Sequence, residues 1–420
     1  MLGGGFTIPE IPSPATVRLV TQLPDAQVYC IPRDILPDTV RCSGLQACRL
    51  DRFSSIAVLK DLASSELFLL PKKSLTLFSV PDEQVGYFVR QLGIRGIKTP
   101  YKTKPLHSDP AEVPLHGNVT NPKWASISLG GACNNHCVFC YTDWIRAVPD
   151  FQTSQVKDVI ARVAEIGTVE ALAFSGGEPT LRNDLVLLFE YASKIGFSDI
   201  ALHTNGRELK NSCLVRELAE RRLKRVLLSI HGPNSEVHDE ITCSPGSFVD
   251  TLEGFGNLGR SQIDVTVNIV MCQANYEHLV DLVVLLNEVF DGHGKLRFSY
   301  PIVEGAAFSN LDRVILPFSH LSSPMLAAMQ VAREIGLGVE AANMPLCIPD
   351  ESCHDTIYNT VTLSEFVEAS PFYKFNIPRG EKLVKLERCA RCSKSGLCRG
   401  IQVEYLRAYP NSVDVFKPIV

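Results

Sequence analysis

Cys133-Asn-Asn-His-Cys137-Val-Phe-Cys140 sets three cysteines in a C-x3-C-x2-C arrangement, directly after a strand-like run, Trp124-Ala-Ser-Ile-Ser-Leu129, and two glycines. Three thiolates this close on one loop can hold three corners of an iron–sulfur cluster. A 4Fe–4S cluster takes four ligands, so one iron would be left open for something else. The spacing is not that of a two-pair zinc site, although zinc stays open in principle. Three unrelated buried thiols are the remaining reading, and the clustering weighs against it.

Around that loop lies a chain of 420 residues, 45% hydrophobic and 21% charged, enough for a sizeable core and more than one domain. The net charge is -5 and no long basic run stands out, so nothing reads as a phosphate-tracking surface and nucleic acid is not the expected partner. No apolar stretch approaches a membrane span, and the N-terminus shows no basic segment followed by an apolar one. Fourteen cysteines without an export signal read as metal ligands in a reducing compartment, hence a cytoplasmic protein with no membrane partner.

Working outward, residues 1–115 read as a small α/β region of unknown role. Val17–Val20 and Leu67–Leu70 look like strands, and Asp82–Leu92 like a short amphipathic helix. Cys30, Cys42 and Cys48 have no ligand spacing and read as free thiols. Tyr101–Asn121, rich in Pro, Lys and His, reads as a linker. From Trp124 the pattern turns regular. Strands are expected near 123–129, 169–174, 198–204, 225–231, 263–271 and 295–300, and helices near 154–166, 183–195, 211–222, 246–260, 275–290 and 319–336, with Ser154 and Asn183 as N-caps. Short, mostly apolar strands alternating with helices make a parallel α/β sheet covered by right-handed crossovers. Spacing alone leaves an open doubly wound sheet and a partial barrel both possible. Either way ligands gather at the C-terminal strand ends.

Those ends carry the polar residues. Phe174-Ser-Gly-Gly-Glu-Pro-Thr180 lies at the second strand end, about 36 residues past the last clustered cysteine. Its glycines allow close backbone approach, and its carboxylate suits an ammonium group. His203-Thr-Asn-Gly206 ends the third strand, Ser229-Ile-His-Gly232 the fourth, and Asn268 sits in the fifth. His203 and His231 read as structural histidines, and no catalytic residue is assigned. His238–Phe248 reads as a loop leading into the next helix, with Cys243 left unassigned.

The three-cysteine spacing, with aromatic Phe139 just before the third cysteine and a Gly-Gly-Glu at the next strand end, resembles the radical S-adenosylmethionine (SAM) enzymes. That resemblance implies a partial (β/α)6 barrel over residues 116–338. It implies that Cys133, Cys137 and Cys140 bind a 4Fe–4S cluster whose open iron takes the amino and carboxylate groups of SAM. Gly176, Gly177 and Glu178 would then bind the SAM amino group, Thr204, Asn205, Ser229 and Asn268 its ribose and carboxylate, and Tyr141 would help place the adenine.

Residues 339–420 change character. Cys389-Ala-Arg-Cys392-Ser-Lys-Ser-Gly-Leu-Cys398 is a C-x2-C-x5-C cluster, with Cys347 as the nominated fourth ligand and Cys353 in reserve. This tail resembles the SPASM and shorter twitch extensions of radical SAM enzymes. The resemblance implies one auxiliary 4Fe–4S cluster, since a full SPASM domain needs more cysteines; a four-cysteine zinc site is the rival reading. Cys213 and Cys272 read as core thiols.

The implied reaction is reductive cleavage of SAM to a 5′-deoxyadenosyl radical that abstracts a hydrogen atom from the substrate. A flavodoxin or ferredoxin would donate the electron. The expected substrate is a ribosomally made peptide, with a crosslink, thioether or epimer as product. The alternatives are a sugar, nucleoside or other small molecule, or a non-catalytic metal-binding scaffold.

Overall fold

A computed structural model describes residues 122–143, 146, 150–290, 294–353, 366–369 and 383–419, together with the backbone of five strands between residues 39 and 79. The chain divides into two compact units, Met1–Glu112 and Val113–Val420. In the first, β1 (Thr39–Cys42), β2 (Leu45–Cys48), β3 (Ile56–Asp61), β4 (Leu67–Pro71) and β5 (Phe78–Ser79) form an antiparallel sheet in sequence order. The expected strand at 17–20, the helix at 82–92, the linker and Cys30 lie outside the described residues.

The second unit is built on eight parallel strands. They are β6 (Trp124–Ser128), β7 (Ala171–Ser175), β8 (Asp199–Thr204), β9 (Leu223–Ser229), β10 (Asp264–Val270), β11 (Lys295–Ser299), β12 (Gly338–Ala342) and β13 (Phe366–Ala369). Their spatial order is β12-β11-β10-β9-β8-β7-β6-β13, and every neighbouring pair is parallel. This order decides what spacing left open. A doubly wound sheet reverses its strand order at a switch point. Here β6 to β12 step in one direction without reversal, so right-handed crossovers put all the helices on one face and leave the other as a lumen. The sheet does not close, and the α/β partial barrel is the observed fold.

All six expected strands are present, within a residue or two at most ends. Two more were not read. Gly338–Ala342 carries two alanines and a glutamate, so it lacks an apolar run, yet it extends the sheet past residue 338. Phe366–Ala369 pairs with β6 from the far side in the chain, which no local pattern announces.

Both faces are buried along β6 and β7, while burial alternates along the C-terminal half of β9 and of β10. Leu172, Phe174, Ile200, Leu202, Val226, Leu228, Val267, Ile269, Leu296 and Phe298 are buried, on the helix side. Helices present matching apolar faces: Val156, Val159, Ile160 and Val163 on Thr153–Glu165, and Leu188, Phe189 and Ala192 on Leu185–Ile195. The first of these starts one residue before the expected Ser154 cap, with Gln152 and Gln155 completing a capping box. Asp184 stands in the cap position expected of Asn183 and accepts from Arg182 and Thr153.

Toward the N-terminal ends of the strands the lumen is charged but internally paired. Arg225 lies 3.8 Å from the Trp124 ring centre and 2.9 Å from Asp199, and Arg297 pairs with Glu340 at 2.8 Å. Cation–ring and carboxylate partners replace the water these guanidiniums lose. One segment, Leu311–Glu334, is long and apolar enough to meet a membrane-span criterion. In the fold its helix Phe318–Glu334 buries Phe318, Leu321, Met325, Ala328, Met329 and Ala332.

Candidate functional site

The cysteine loop hangs from the C-terminal end of β6 and is held at several points by backbone hydrogen bonds. From β7, the N–H of Gly177 donates to Gly130 O at 2.8 Å and that of Glu178 to Ala132 O at 2.6 Å. This explains the two glycines sterically. A Cβ on Gly176 would lie 2.6 Å from Gly130 O, and one on Gly177 only 2.2 Å from Ala132 O. Gly176 also has φ +122°, a region closed to most side chains. Both glycines, which the resemblance assigns to the SAM amino group, are thus packed against the cysteine loop.

A second clasp comes from a helix that was expected to be a loop. Ser235–Thr242 is helical, capped by Asn234. Its last carbonyls, which have no partner within a helix end, accept from the loop: His136 N–H to Thr242 O at 2.7 Å and Val138 N–H to Ile241 O at 2.9 Å. Cys243 then ends the helix in the left-handed region, exposed. The third clasp follows β11: Ala306 N–H donates to Cys140 O at 2.8 Å, and Asn310 Nδ2 to Val138 O at 3.1 Å.

Side chains complete the frame. Arg207 Nη1 donates to Asn134 O at 2.6 Å and to Asn135 Oδ1 at 3.2 Å while pairing with Asp250. Arg146 donates to Asn135 O and pairs with Asp143 at 3.0 Å. Burial pushes the thiols of Cys133, Cys137 and Cys140 up, most strongly Cys137, and the positive charge of Arg146 opposes that in all three. The three thiols thus lie close enough to feel one another and share one cation. That is a donor set suited to an iron–sulfur cluster, whose thiolate ligands need stabilisation out of water.

Next to the loop, Glu178 is almost fully buried, with 3% exposure. Its Oε1 accepts from Thr180 N–H at 3.0 Å, Thr180 Oγ1 at 2.5 Å and Thr204 Oγ1 at 2.6 Å, and its Oε2 from Asn205 N–H at 2.7 Å. Burial raises its pKa, and these four bonds pull the other way. Asn205 Nδ2 donates to Asn134 Oδ1 at 2.7 Å and lies 4.0 Å from Cys133 Sγ. Glu178, Thr204 and Asn205 are therefore one network that reaches the cysteine loop. Ser229 and Asn268 are cross-strand neighbours on β9 and β10, and Asn268 Oδ1 accepts from Ser299 Oγ at 2.6 Å. Phe139 meets the His231 ring edge-on, with centroids 4.8 Å apart, while Tyr141 is exposed.

His231 and His238, stacked with centroids 5.8 Å apart, both accept hydrogen bonds at Nδ1. His231 Nδ1 accepts from Val270 N–H at 3.3 Å, and His238 Nδ1 from His231 N–H at 3.1 Å. Burial depresses His231 well below the usual range and holds His238 at about 4. His203 in the lumen is also held at about 4, by burial and by Arg297 and Arg225. Sequence reading missed Asn134, Arg146, Arg207, Ser299 and Asn310. Arg207 directly follows Thr204-Asn-Gly206, which is the one local signal available; Asn310 had none.

The tail forms a second group. Cys347, Cys389, Cys392 and Cys398 line one recess, together with Lys385, Phe416 and Pro418. Burial pushes the Cys347 thiol up to about 12, and Cys398, Cys389 and Cys392 add to the shift, so the four thiols are near neighbours. Ile419 N–H donates to Cys392 Sγ at 3.4 Å. Cys353 is buried elsewhere, against Arg333. Among the described residues no three or more His, Cys, Asp or Glu side chains converge on one ion-sized position; the four thiols stand round the recess walls instead. Of the two expected core thiols, Cys272 is buried, but Cys213 is exposed, at the start of the helix Ser212–Glu220.

The sequence profile of the Radical SAM superfamily matches residues 127–286, a span that holds the cysteine loop, the Gly-Gly-Glu turn and the polar strand ends. The chain carries a radical SAM domain. An AdoMet-dependent heme synthase of Methanosarcina barkeri is 31% identical over 170 residues, 40% of this chain and 48% of that protein. A probable GTP 3′,8-cyclase of Saccharolobus islandicus is 28% identical over 184 residues, 41% of this chain and 59% of that one. The chain thus spans about half the length of the curated relatives it matches. Among solved structures, Streptococcus suis SuiB bound to S-adenosylmethionine aligns with TM-score 0.49 and 13% identity, over 71% of this chain and 76% of that one. Native anSMEcpe with bound AdoMet and the Cp18Cys peptide aligns with TM-score 0.43 and 18% identity, over 52% and 63%. The superfamily's chemistry uses a 4Fe–4S cluster and SAM, and the radical SAM domain here has the cysteine loop that such chemistry requires.

Proposed function

We propose that this protein is a radical SAM enzyme with one auxiliary cluster. The first cluster would be held by Cys133, Cys137 and Cys140, with the strand-end set Glu178, Thr204, Asn205, Ser229 and Asn268 receiving SAM beside it. The observation that carries the reading is the joining of the thiol loop to the buried Glu178–Thr204–Asn205 network through Asn134. When bound, a reduced cluster on these three thiols would supply the electron for reductive cleavage of SAM, and the radical so generated would abstract a hydrogen atom from the substrate. The chain's own residues do the rest. The clasped loop fixes the thiols, Glu178 offers a buried carboxylate to a cation, and Phe139 is braced by His231.

The tail's Cys347, Cys389, Cys392 and Cys398 would hold the auxiliary 4Fe–4S cluster of a twitch-like extension. Four cysteine thiols around one recess suit a 4Fe–4S cluster, with a four-cysteine zinc site as the rival reading. For the substrate, a ribosomally made peptide is the favoured class. The antiparallel β1–β5 sheet supports it, because extended peptides bind by adding to the edge of such a sheet. A small heterocyclic or nucleotide substrate is the second reading, favoured by the names of the curated relatives, a heme synthase and a probable GTP cyclase. A flavodoxin or ferredoxin in the cytoplasm is the proposed electron donor.

The test is anaerobic reconstitution with iron and sulfide, followed by SAM and dithionite. We expect 5′-deoxyadenosine from the wild type and none from the Cys133→Ala/Cys137→Ala/Cys140→Ala variant, whose circular dichroism stays native. Equal 5′-deoxyadenosine from the triple variant would end the assignment.

A further inference from the structure

The segment that follows β11 bonds Gln402, four residues beyond the last cysteine of the second group, at one end and the first cysteine loop at the other. At one end, Gln402 sits three residues beyond Arg399 and is 5% exposed. Its Oε1 accepts from Val303 N–H at 3.1 Å, and its Nε2 donates to Pro301 O at 2.9 Å. Both amide atoms are thus committed to backbone that no strand or helix satisfies. At the other end, Ala306 N–H donates to Cys140 O at 2.8 Å, and Asn310 Nδ2 bonds both Val138 O and Ala306 O. Gly305, at φ +55°, is pressed onto the same place: a Cβ there would meet Cys140 O at 2.6 Å and Tyr141 O at 2.9 Å. Between the Gln402-bonded stretch Pro301–Val303 and Gly305 lies only Glu304, whose N–H turns back on Ile302 O at 2.9 Å. The segment is short, buried at Ile302 and Val303, and bonded at both ends, so a shift at one end is passed to the other rather than absorbed.

We propose that Gln402 is a positioning residue that couples the two cysteine groups. The chain leaving Cys398 fixes Gln402, Gln402 fixes Pro301–Val303, and that segment fixes the carbonyls of Val138 and Cys140. The order of the C-terminal group thereby sets the shape of the loop that carries the third N-terminal thiol. The consequence for turnover rests on reading both groups as cluster ligands; the contact itself does not.

The test is hydrogen exchange on full-length protein reconstituted anaerobically with iron and sulfide, before any SAM is added. In Gln402→Leu, peptides covering 133–143 and 301–310 should exchange about tenfold faster than in wild type, with a peptide covering 185–195 unchanged. Gln402→Glu keeps an acceptor for Val303 N–H and should give a smaller rise in the same two peptides. With SAM then added to the dithionite-reduced proteins, the change that SAM induces in the electron paramagnetic resonance signal of the first cluster should be weaker in Gln402→Leu and partly restored in Gln402→Glu. Faster exchange confined to 383–405, with 133–143 at the wild-type rate, overturns the coupling. If Gln402→Leu does not fold, Gln402→Glu decides by the same comparison. A wild type that fails to cleave SAM overturns the proposed reaction, while the exchange comparison still decides this one.

Discussion

The two cysteine groups are built in opposite ways. The first takes three thiols from eight consecutive residues and gets its shape from elsewhere: a turn after β7, the end of the helix Ser235–Thr242, and the segment after β11. The second takes thiols from two segments, Cys347 and Cys389–Cys398, and walls them into a recess with the chain's own last residues. A group with three ligands on a clasped loop leaves a place for something to arrive. On the proposed reading, a group with four half-buried protein thiols has its ligand set complete. The contrast between a reactive centre and a closed one is written in ligand count and in how far the frame is shared with the barrel.

That contrast can be broken most decisively at the tail. In Cys389→Ala/Cys392→Ala, iron should fall from about eight to about four atoms per chain, with one 4Fe–4S Mössbauer species left. Substrate turnover should stop while abortive SAM cleavage persists. Zinc in the wild type would show that the second group is not a cluster site. A change at the frame of the first group should do the converse. Gly177→Ala puts a Cβ where 2.2 Å separates it from Ala132 O, so the loop must move. We expect the first cluster's iron to be largely lost and the second's retained, by the same Mössbauer measurement; wild-type iron at both sites would mean that the loop tolerates displacement.

The first group was legible because its three ligands and its aromatic lie within eight residues, and because Gly-Gly-Glu recurs at the next strand end. Six strands were legible because Ala171–Ser175 or Leu223–Ser229 bury one whole face against helices and so read as apolar runs. β12 was not, because Glu340 and Ala341 carry little apolar signal; its place is set by pairing with β11. The helix Ser235–Thr242 was hidden by polar residues, His238, Asp239 and Glu240, whose partners come from other elements. Cys347 was found through its stiff proline-flanked setting, yet its neighbourhood with Cys398 is a property of the fold alone.

Two smaller effects sharpen the comparison. Glu178→Gln replaces an acceptor with a donor inside a set of four donors. SAM affinity, by equilibrium titration, should weaken by about 1–3 kcal/mol, with both clusters kept. Unchanged affinity would confine Glu178 to a structural role. The last effect lies in the barrel and spares the tail. His203 and His238 titrate near 4 when folded and near 6.5 when unfolded. The unfolded chain therefore binds more protons between those values, and stability is full above about 6.5 and falls as pH drops toward 4. Each imidazole should remove about 1–2 kcal/mol between pH 6.5 and 5. Urea midpoints across that range should fall less steeply in His238→Gln than in wild type; equal slopes would remove His238 from the account.

The clasp on the cysteine loop also fixes an order of events in the life of the chain. Val138 and its partner Asn310 stand 172 residues apart in sequence. At roughly 5–20 residues per second, synthesis of that interval takes on the order of ten to thirty seconds. For all that time the cysteine loop lacks the last of its three clasps, while the partners at Gly177, Glu178, Ile241 and Thr242 are made earlier. Contacts so distant form late, after the loop closure they require. The complete frame of the loop is therefore available only after most of the barrel has been made.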